Sequence, residues 1–368
     1  MPSNKSVKAR IISQLGFMLN RLRERLWVKP LFMCLLSVAT VFIAGQADNL
    51  PIAQDVPDVS QDTIETLLSI LSASMLVIAM FAVGAMLSAY ASASSATTPR
   101  AFSVVVADDV SQNALSVYLG AFIFSVVALI ALLNDYYDIA GRFSLFLLTI
   151  VVFALVIASF VRWMDRIARL GRTGTIIHKV EAATLKSLYK MRQNPTLGAR
   201  LAEGKAEGQA FYSQDVGYVQ RVNLADLQAL AEKHQCHFTL AARPGILASP
   251  GQPLLFIQGQ SGIDDELKTA IENTFVIADS RTFNDDPRFG LIVLSEIASR
   301  ALSPGINDPG TAIVVIGTLV RLFSRSATIA ADTDVLYSRI SVPAIAASDM
   351  FDDAFNAIAR DGASNIEV

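Results

Sequence analysis

Four long apolar runs dominate the first half of the chain. The first extends from Pro30 to Ala47, the second from Thr66 to Pro99 and the fourth from Phe143 to Val161. The third covers Val110 to Asn134, with its apolar heart from Leu115 to Leu133. No Asp, Glu, Lys, Arg or His interrupts any of them. A helix rises ~1.5 Å per residue, so about 20 residues cross a ~30 Å hydrocarbon core. Each run is long enough, the first only just. A helix also satisfies its own backbone groups, which lipid cannot do. The pattern therefore predicts a transmembrane domain over 30–163, with four helices at about 30–47, 66–98, 113–134 and 143–162. The basic leader in front of the first run, residues 1–29, is too long for the n-region of a signal peptide.

The second run exceeds a simple span. Its far end carries Gly84, Ser88, Ser92 and Ser95 at a spacing that puts all of them on one helix face. Small faces let helices approach closely. A row of hydroxyls can equally line a pore or cavity. Pro99 is expected to kink or end this helix.

Composition sharpens the boundary. Charged residues are 17% of the 368-residue chain and apolar residues 52%, against about 25% charged in ordinary soluble proteins. Charges return at normal density after Arg162. Their signs set an orientation. Lys5, Lys8, Arg10, Arg21, Arg23, Arg25 and Lys29 precede the first run, and Arg162, Arg166, Arg169, Arg172 and Lys179 follow the fourth. The loop after the first run holds Asp48, Asp55, Asp58, Asp62 and Glu65 with no Lys or Arg. By the positive-inside rule both termini face the cytoplasm. Arg162, Arg166, Arg169 and Arg172 read as anchors at the membrane surface, or as contacts for anionic lipid headgroups. The net charge of −3 argues against a nucleic-acid partner. Cys34 and Cys236 are too few for a disulfide framework and fit a reducing compartment for the soluble part. Runs without ionisable groups weaken a proton-coupled transporter and leave room for a passive pore.

Behind the membrane domain, residues 164–209 read as a cytoplasmic helix followed by a Gly- and Pro-containing linker, and residues 210–368 as an α+β domain. Gly217 to Val222 alternates like a strand, and Asn223 caps a helix from Leu224 to His234. Strands follow at His237–Ala242 and Pro253–Ile257, around the turn Arg243-Pro244-Gly245. This stretch resembles, weakly and locally, half of a small barrel-sandwich module of the lipoyl type. No lysine sits where a lipoyl group would attach, so no cofactor is implied. His234, Cys236 and His237 are the one cluster with metal-ligand chemistry, but a zinc site needs three or four converging ligands at suitable spacing; they read as the entry to a strand, and the expectation is no metal.

The densest motif region runs from Arg281 to Thr311. Asp286-Pro287 and Asp308-Pro309 each open an amphipathic stretch, with Asp as N-cap and Pro at the first helical position. Together they predict a helix–turn–helix. Glu296 and Arg300 are spaced for an ion pair. In the turn, Ser303 to Asn307, Pro304 stops the first helix and Gly305 permits a positive φ. The turn is either structural or a site where N–H groups at Asp308 and beyond bind an anion. No Gly-rich phosphate loop, nucleophile elbow or His-Glu-x-x-His motif occurs, so no reaction is assigned.

Several strings resemble a bacterial membrane-protein family catalogued as domain of unknown function 2254. The strongest are Asp286-Pro287-Arg288-Phe289-Gly290-Leu291 and Arg300-Ala301-Leu302-Ser303-Pro304-Gly305-Ile306-Asn307-Asp308-Pro309. Ser94 to Arg100, Thr175-Ile176-Ile177, Gly217-Tyr218-Val219-Gln220 and Arg243-Pro244-Gly245 also match. The resemblance covers the chain from about Arg25 onward. It implies the bacterial inner membrane and the architecture derived above, but no activity. It also implies a final helix running on past Asn365, whereas this sequence stops at Val368. The expected function is a homo-oligomeric channel or passive pathway with a cytoplasmic vestibule, partnered by membrane lipids. The alternative is a membrane-anchored sensor or scaffold without a pore.

Overall fold

The computed structural model describes residues 27–49, 56–106, 109–169, 171–259, 262, 264–330 and 334–368. The basic leader up to Leu26 and Asp55 of the acidic loop lie outside the described residues. The chain forms two compact units. One comprises Met1–Ser95 and Val105–Arg172, the other Ala96–Val104 and Thr173–Val368.

The first unit is helical. Helices α1 (Val28–Gly45), α2 (Gln61–Ala96), α4 (Asp109–Leu133) and α5 (Ile139–Ile167) lie on the four apolar runs, each within a few residues of its expected position. A short helix, α3 (Phe102–Val106), stands between α2 and α4 in the chain. Helix α1 packs closely on α4, where a side chain at Gly120 would press on Met33 and Ser37. Tyr118, Phe124, Leu132, Leu145 and Trp163 fill the bundle interior together with Leu68 and Leu71 of α2. At the end that carries the acidic loop, Asp48 takes over the capping of α5. Its carboxylate accepts from the backbone N–H groups of Asp138 and Gly141, at 3.1 and 2.6 Å. Tyr137 donates to the Val41 carbonyl at 2.9 Å, and Arg142 pairs with Asp58 at 3.0 Å. The acidic residues between the runs are thus partly structural.

The second unit contains α6 (Thr173–Gln193) and the α+β region. Among its described residues the strands form two sheets. The larger has the order β1-β8-β4-β6-β2 and the smaller β5-β3-β7. Here β1 is Ala199–Leu201, β2 Gln209–Tyr212, β3 Gly217–Val222, β4 His237–Leu240, β5 Leu247–Ala248, β6 Pro253–Gln258, β7 Phe275–Ala278 and β8 Tyr337–Val342. The Arg243-Pro244-Gly245 turn carries the chain from the larger sheet to the smaller, so the segment resembling half a barrel-sandwich module contributes to both. Asn223 caps α7 (Leu224–Lys233) through the Asp226 N–H, as its position implies. Leu227 and Ala231 of α7, Leu267 and Ile271 of α8 (Asp265–Glu272), Phe238, Leu255 and Ile340 make a common apolar core.

The stretch expected as a linker departs from that reading. Residues 199–201 form β1, which pairs in parallel with β8. A three-residue strand offers no alternation to read, and its partner is far away in sequence.

A layer of helices completes the unit. Helix α9 (Pro287–Ala301) is central and packs on α6, α10 (Pro309–Ala327) and α11 (Ala347–Gly362). Gly290 makes this possible: a Cβ there would stand 2.0 Å from Thr184 Oγ1 of α6. Arg321 of α10 forks onto Glu181 of α6 at 3.0 and 3.1 Å, and holds that carboxyl below the usual range. Among the described residues, α10 is a fifth helix long and apolar enough to cross a membrane by length and composition alone.

Candidate functional site

The sequence singles out three regions: the small-residue face of α2, the basic collar after α5, and the turn between α9 and α10. The structure locates each and exposes a fourth.

Gly84, Ser88, Ser92 and Ser95 lie together on one face, and all four are exposed. A side chain at Gly84 would meet nothing within 4 Å. Among the described residues this face is therefore not a packed helix seam. Helix α2 contacts its bundle through Leu68, Leu71, Met75, Ala79 and Ala82. Gly84, Ser88, Ser92 and Ser95 lie off that buried face.

In the collar, Arg162 is exposed and has no hydrogen-bond or ion-pair partner among the described residues. Arg169 is tied to Asp165, one turn back, at 2.7 Å. Arg166 is half-buried and Arg172 exposed.

The turn is exposed and internally bonded. Asn307 and Ile306 donate from their backbones to the Ser303 carbonyl, and the Asp308 N–H reaches Ala301. The Ser303 hydroxyl donates to the Arg300 carbonyl at 2.6 Å. The positive φ falls on Asn307, at 49°, and not on Gly305. Asparagine tolerates this region because its short side chain can bond locally. Asp308 accepts from both the N–H and the hydroxyl of Thr311, at 3.1 and 2.6 Å. The same bonds, the hydroxyl first, hold its carboxyl below the usual range. That carboxylate already fills the helix N-terminus an outside anion would need, and Pro309 has no N–H to offer.

Glu296 has partners that its spacing to Arg300 does not announce. Its carboxylate accepts from Thr98 Oγ1 at 2.8 Å and Arg100 at 2.5 Å, so it binds the segment Ala96–Val104 rather than only its own helix. Thr97, Thr98 and Ala101 of that segment are buried. The Thr-Thr-Pro-Arg string after the second run is thereby a built-in piece of the second unit.

The fourth region is a charged node at the start of α9. Asp286 caps the helix by accepting from the N–H groups of Arg288 and Phe289, each at 3.1 Å. It also receives a two-pronged contact from Arg281 at 2.6 and 3.0 Å. Arg281 in turn lies over the Phe289 ring, 5.5 Å from its centre. Gly245, with φ +96°, lies so near the Asp286 carboxylate that a Cβ there would collide with it. Arg243 is buried and donates to the carbonyls of Pro195 and Pro343. Burial pushes its guanidinium down to about 10, so it stays charged at neutral pH. Arg288 forks onto Asp353 and reaches Asp349 of α11. The node is architecture more than chemistry: Arg281 and Arg288 are paired with carboxylates, and Arg243 is held by backbone carbonyls.

The far end of the same helix pair has a pH signature. Arg360 and the hydroxyl of Ser299 hold the Asp361 carboxyl down at about 2. An unfolded aspartate titrates near 3.9. A lowered native value means the contribution is complete above about pH 4 and fades as pH falls toward 2. Asp361→Asn is expected to lower the melting temperature at pH 6. Its gap to wild type should close between about pH 4 and pH 2.

His237 sits at a strand entry, with its Nε2 2.8 Å from Ser341 Oγ. Among the described residues no group of three His, Cys, Asp or Glu could hold a metal.

Known proteins resemble this chain only in part. The uncharacterized protein Rv1290c of Mycobacterium tuberculosis is 28% identical over 193 residues, which is 50% of this chain and 37% of that protein. The uncharacterized protein Mb1321c of Mycobacterium bovis aligns with the same figures, 28% over 193 residues, 50% and 37%. The chain thus spans less than half the length of these curated relatives. No solved structure matches. A family model described as predicted membrane protein, domain of unknown function 2254, matches residues 23–368, and the chain, with its apolar helices followed by a mixed α/β region, belongs to that family.

Proposed function

We infer that the protein is a multi-pass inner-membrane protein that assembles from several copies around α2 and provides a passive pathway between them. The observation that carries this reading is the outward direction of Gly84, Ser88, Ser92 and Ser95. Among the described residues the bundle interior is packed with side chains such as Tyr118, Phe124 and Trp163, which favours a pathway between copies over one along the protomer's own axis. A face of glycine and serine suits close contact between copies, or a hydroxyl-lined passage. Four helices, α1, α2, α4 and α5, cross the membrane in this reading, and both termini are cytoplasmic. Helix α10 stays in the soluble unit. It is packed among α6, α9 and α11, and its Arg321 is committed to Glu181.

The test is solute or ion flux into liposomes carrying the purified protein. Wild type is expected to conduct. Gly84→Trp and Ser92→Trp are expected to abolish flux while the protomer still folds, since both sites are exposed. Absence of flux under varied voltage and tension would defeat the channel.

A second reading has its own support. Phe323 and Phe351 stack at 4.5 Å, with Phe355 alongside, and Phe351 is exposed. Such an aromatic group suits a partner protein, and fits an anchored scaffold that has no pore.

A further inference from the structure

A cleft of about 430 Å³ opens on the first unit between α1, α4 and α5. Its walls are mostly apolar, including Val117, Phe124 and Leu155. Its polar groups are few: Ser37, Asn113, Ser159 and Arg162. Arg162 and Asn113 belong to the same end of the bundle, because α5 finishes where α4 begins. From Val152 to Arg162 the lining on α5 covers ten residue steps, about 15 Å of helix. That equals half of a ~30 Å hydrocarbon core. On α4 the lining runs fourteen steps, from Val110 to Phe124, about 21 Å. The cleft is therefore half to two-thirds of a hydrocarbon core long, apolar along its length, and ends at a cation that has no partner among the described residues.

We propose that this cleft holds one anionic glycerophospholipid, its acyl chain lying along Val117 and Leu155 and its phosphate on Arg162. Charge complementarity selects this occupant. A helix from a second copy would have no use for a lone guanidinium at the rim. A zwitterionic lipid would bring its own cation to the same place. The neighbouring arginines do not substitute, since Arg169 is already paired with Asp165 and Arg172 does not line the cleft. The proposal stands whether or not copies assemble into a pathway.

The experiment uses the full chain reconstituted in vesicles of equal parts phosphatidylglycerol and phosphatidylcholine. The protein is then extracted in detergent, and retained lipid is measured by mass spectrometry. Wild type should retain phosphatidylglycerol over phosphatidylcholine at a ratio of about five to one, the size expected for one basic residue acting on an anionic lipid. Arg162→Gln should remove that enrichment, Arg162→Lys should keep most of it, and Arg172→Gln should leave it unchanged. Ala158→Trp, at an exposed lining position, should lower retention of both lipids. Retention at the bulk ratio in wild type overturns the proposal. So does equal loss in the Arg162 and Arg172 variants, which would indicate a diffuse basic surface. Crosslinking of Ala158→Cys between protomers in place of lipid retention also overturns it.

Discussion

Gly245→Ala is expected to unfold or severely destabilise the second unit. Its φ of +96° already disfavours any side chain, and the left-handed region costs a non-glycine residue about 1–2 kcal/mol. The larger effect is steric. A Cβ at this position would stand 2.4 Å from Asp286 Oδ2 and 2.6 Å from its Cγ. Asp286 cannot yield cheaply. It is buried, it caps α9 through two N–H groups, and it holds Arg281 in two-pronged contact. Moving it separates a largely buried ion pair, which costs about 3–5 kcal/mol when one partner is lost. A loss of about 3 kcal/mol or more should appear as a large fall in the urea midpoint of the second unit's unfolding. Gly305→Ala is the control. That glycine has no positive φ and open space around it, so its effect should stay within about 0.5 kcal/mol. Equal behaviour of the two variants would sink this account of Gly245.

Gly290→Ala should be nearly as damaging, for a different reason. Here the backbone is ordinary helix and the added methyl is the whole problem. It would lie 2.0 Å from Thr184 Oγ1 and 2.7 Å from Thr184 Cβ. Thr184 is itself fully buried, with its hydroxyl bonded to the Val180 carbonyl. The two helices must therefore separate, and overpacking of this kind costs about 1–3 kcal/mol. Relief should come from the other helix. Thr184→Gly removes both offending atoms at a helix-propensity cost of about 1 kcal/mol. The double variant should be more stable than the sum of the two single losses implies. Strict additivity would mean that the α6–α9 contact is not what limits the site.

Much of this molecule is legible in its sequence. The four apolar runs locate their helices because a lipid-facing helix must be apolar along its whole length, which local composition records directly. The N-caps at Asn223, Asp286 and Asp308 are equally local, each being a side chain that reaches a backbone three residues on or less. What stays hidden is whatever depends on distant partners. Glu296 has a local mate four residues away in Arg300, but its bond to Arg100 spans 196 residues and leaves no local signal. The two glycines that matter most, Gly245 and Gly290, are set by Asp286 and Thr184, and no periodicity connects those pairs. Residue type alone points to Gly305 as the left-handed position of the turn, since glycine has the widest freedom, but that position falls on Asn307. The direction of the serine face of α2 is also beyond reach, because a stripe on a helix does not say which way the helix is turned.

Residues 96–104 have a consequence in time. They leave the ribosome directly after the second apolar run, yet the carboxylate that binds them, Glu296, is made 196 residues later than Arg100. At about 5–20 residues per second, that segment waits on the order of 10–40 s for its partner. During that interval Thr97, Thr98 and Ala101, which end up buried, stand without their cover. The second unit cannot close until this early piece has been held in reserve through the synthesis of two further apolar helices. Its folding clock therefore starts only after α4 and α5 have been made.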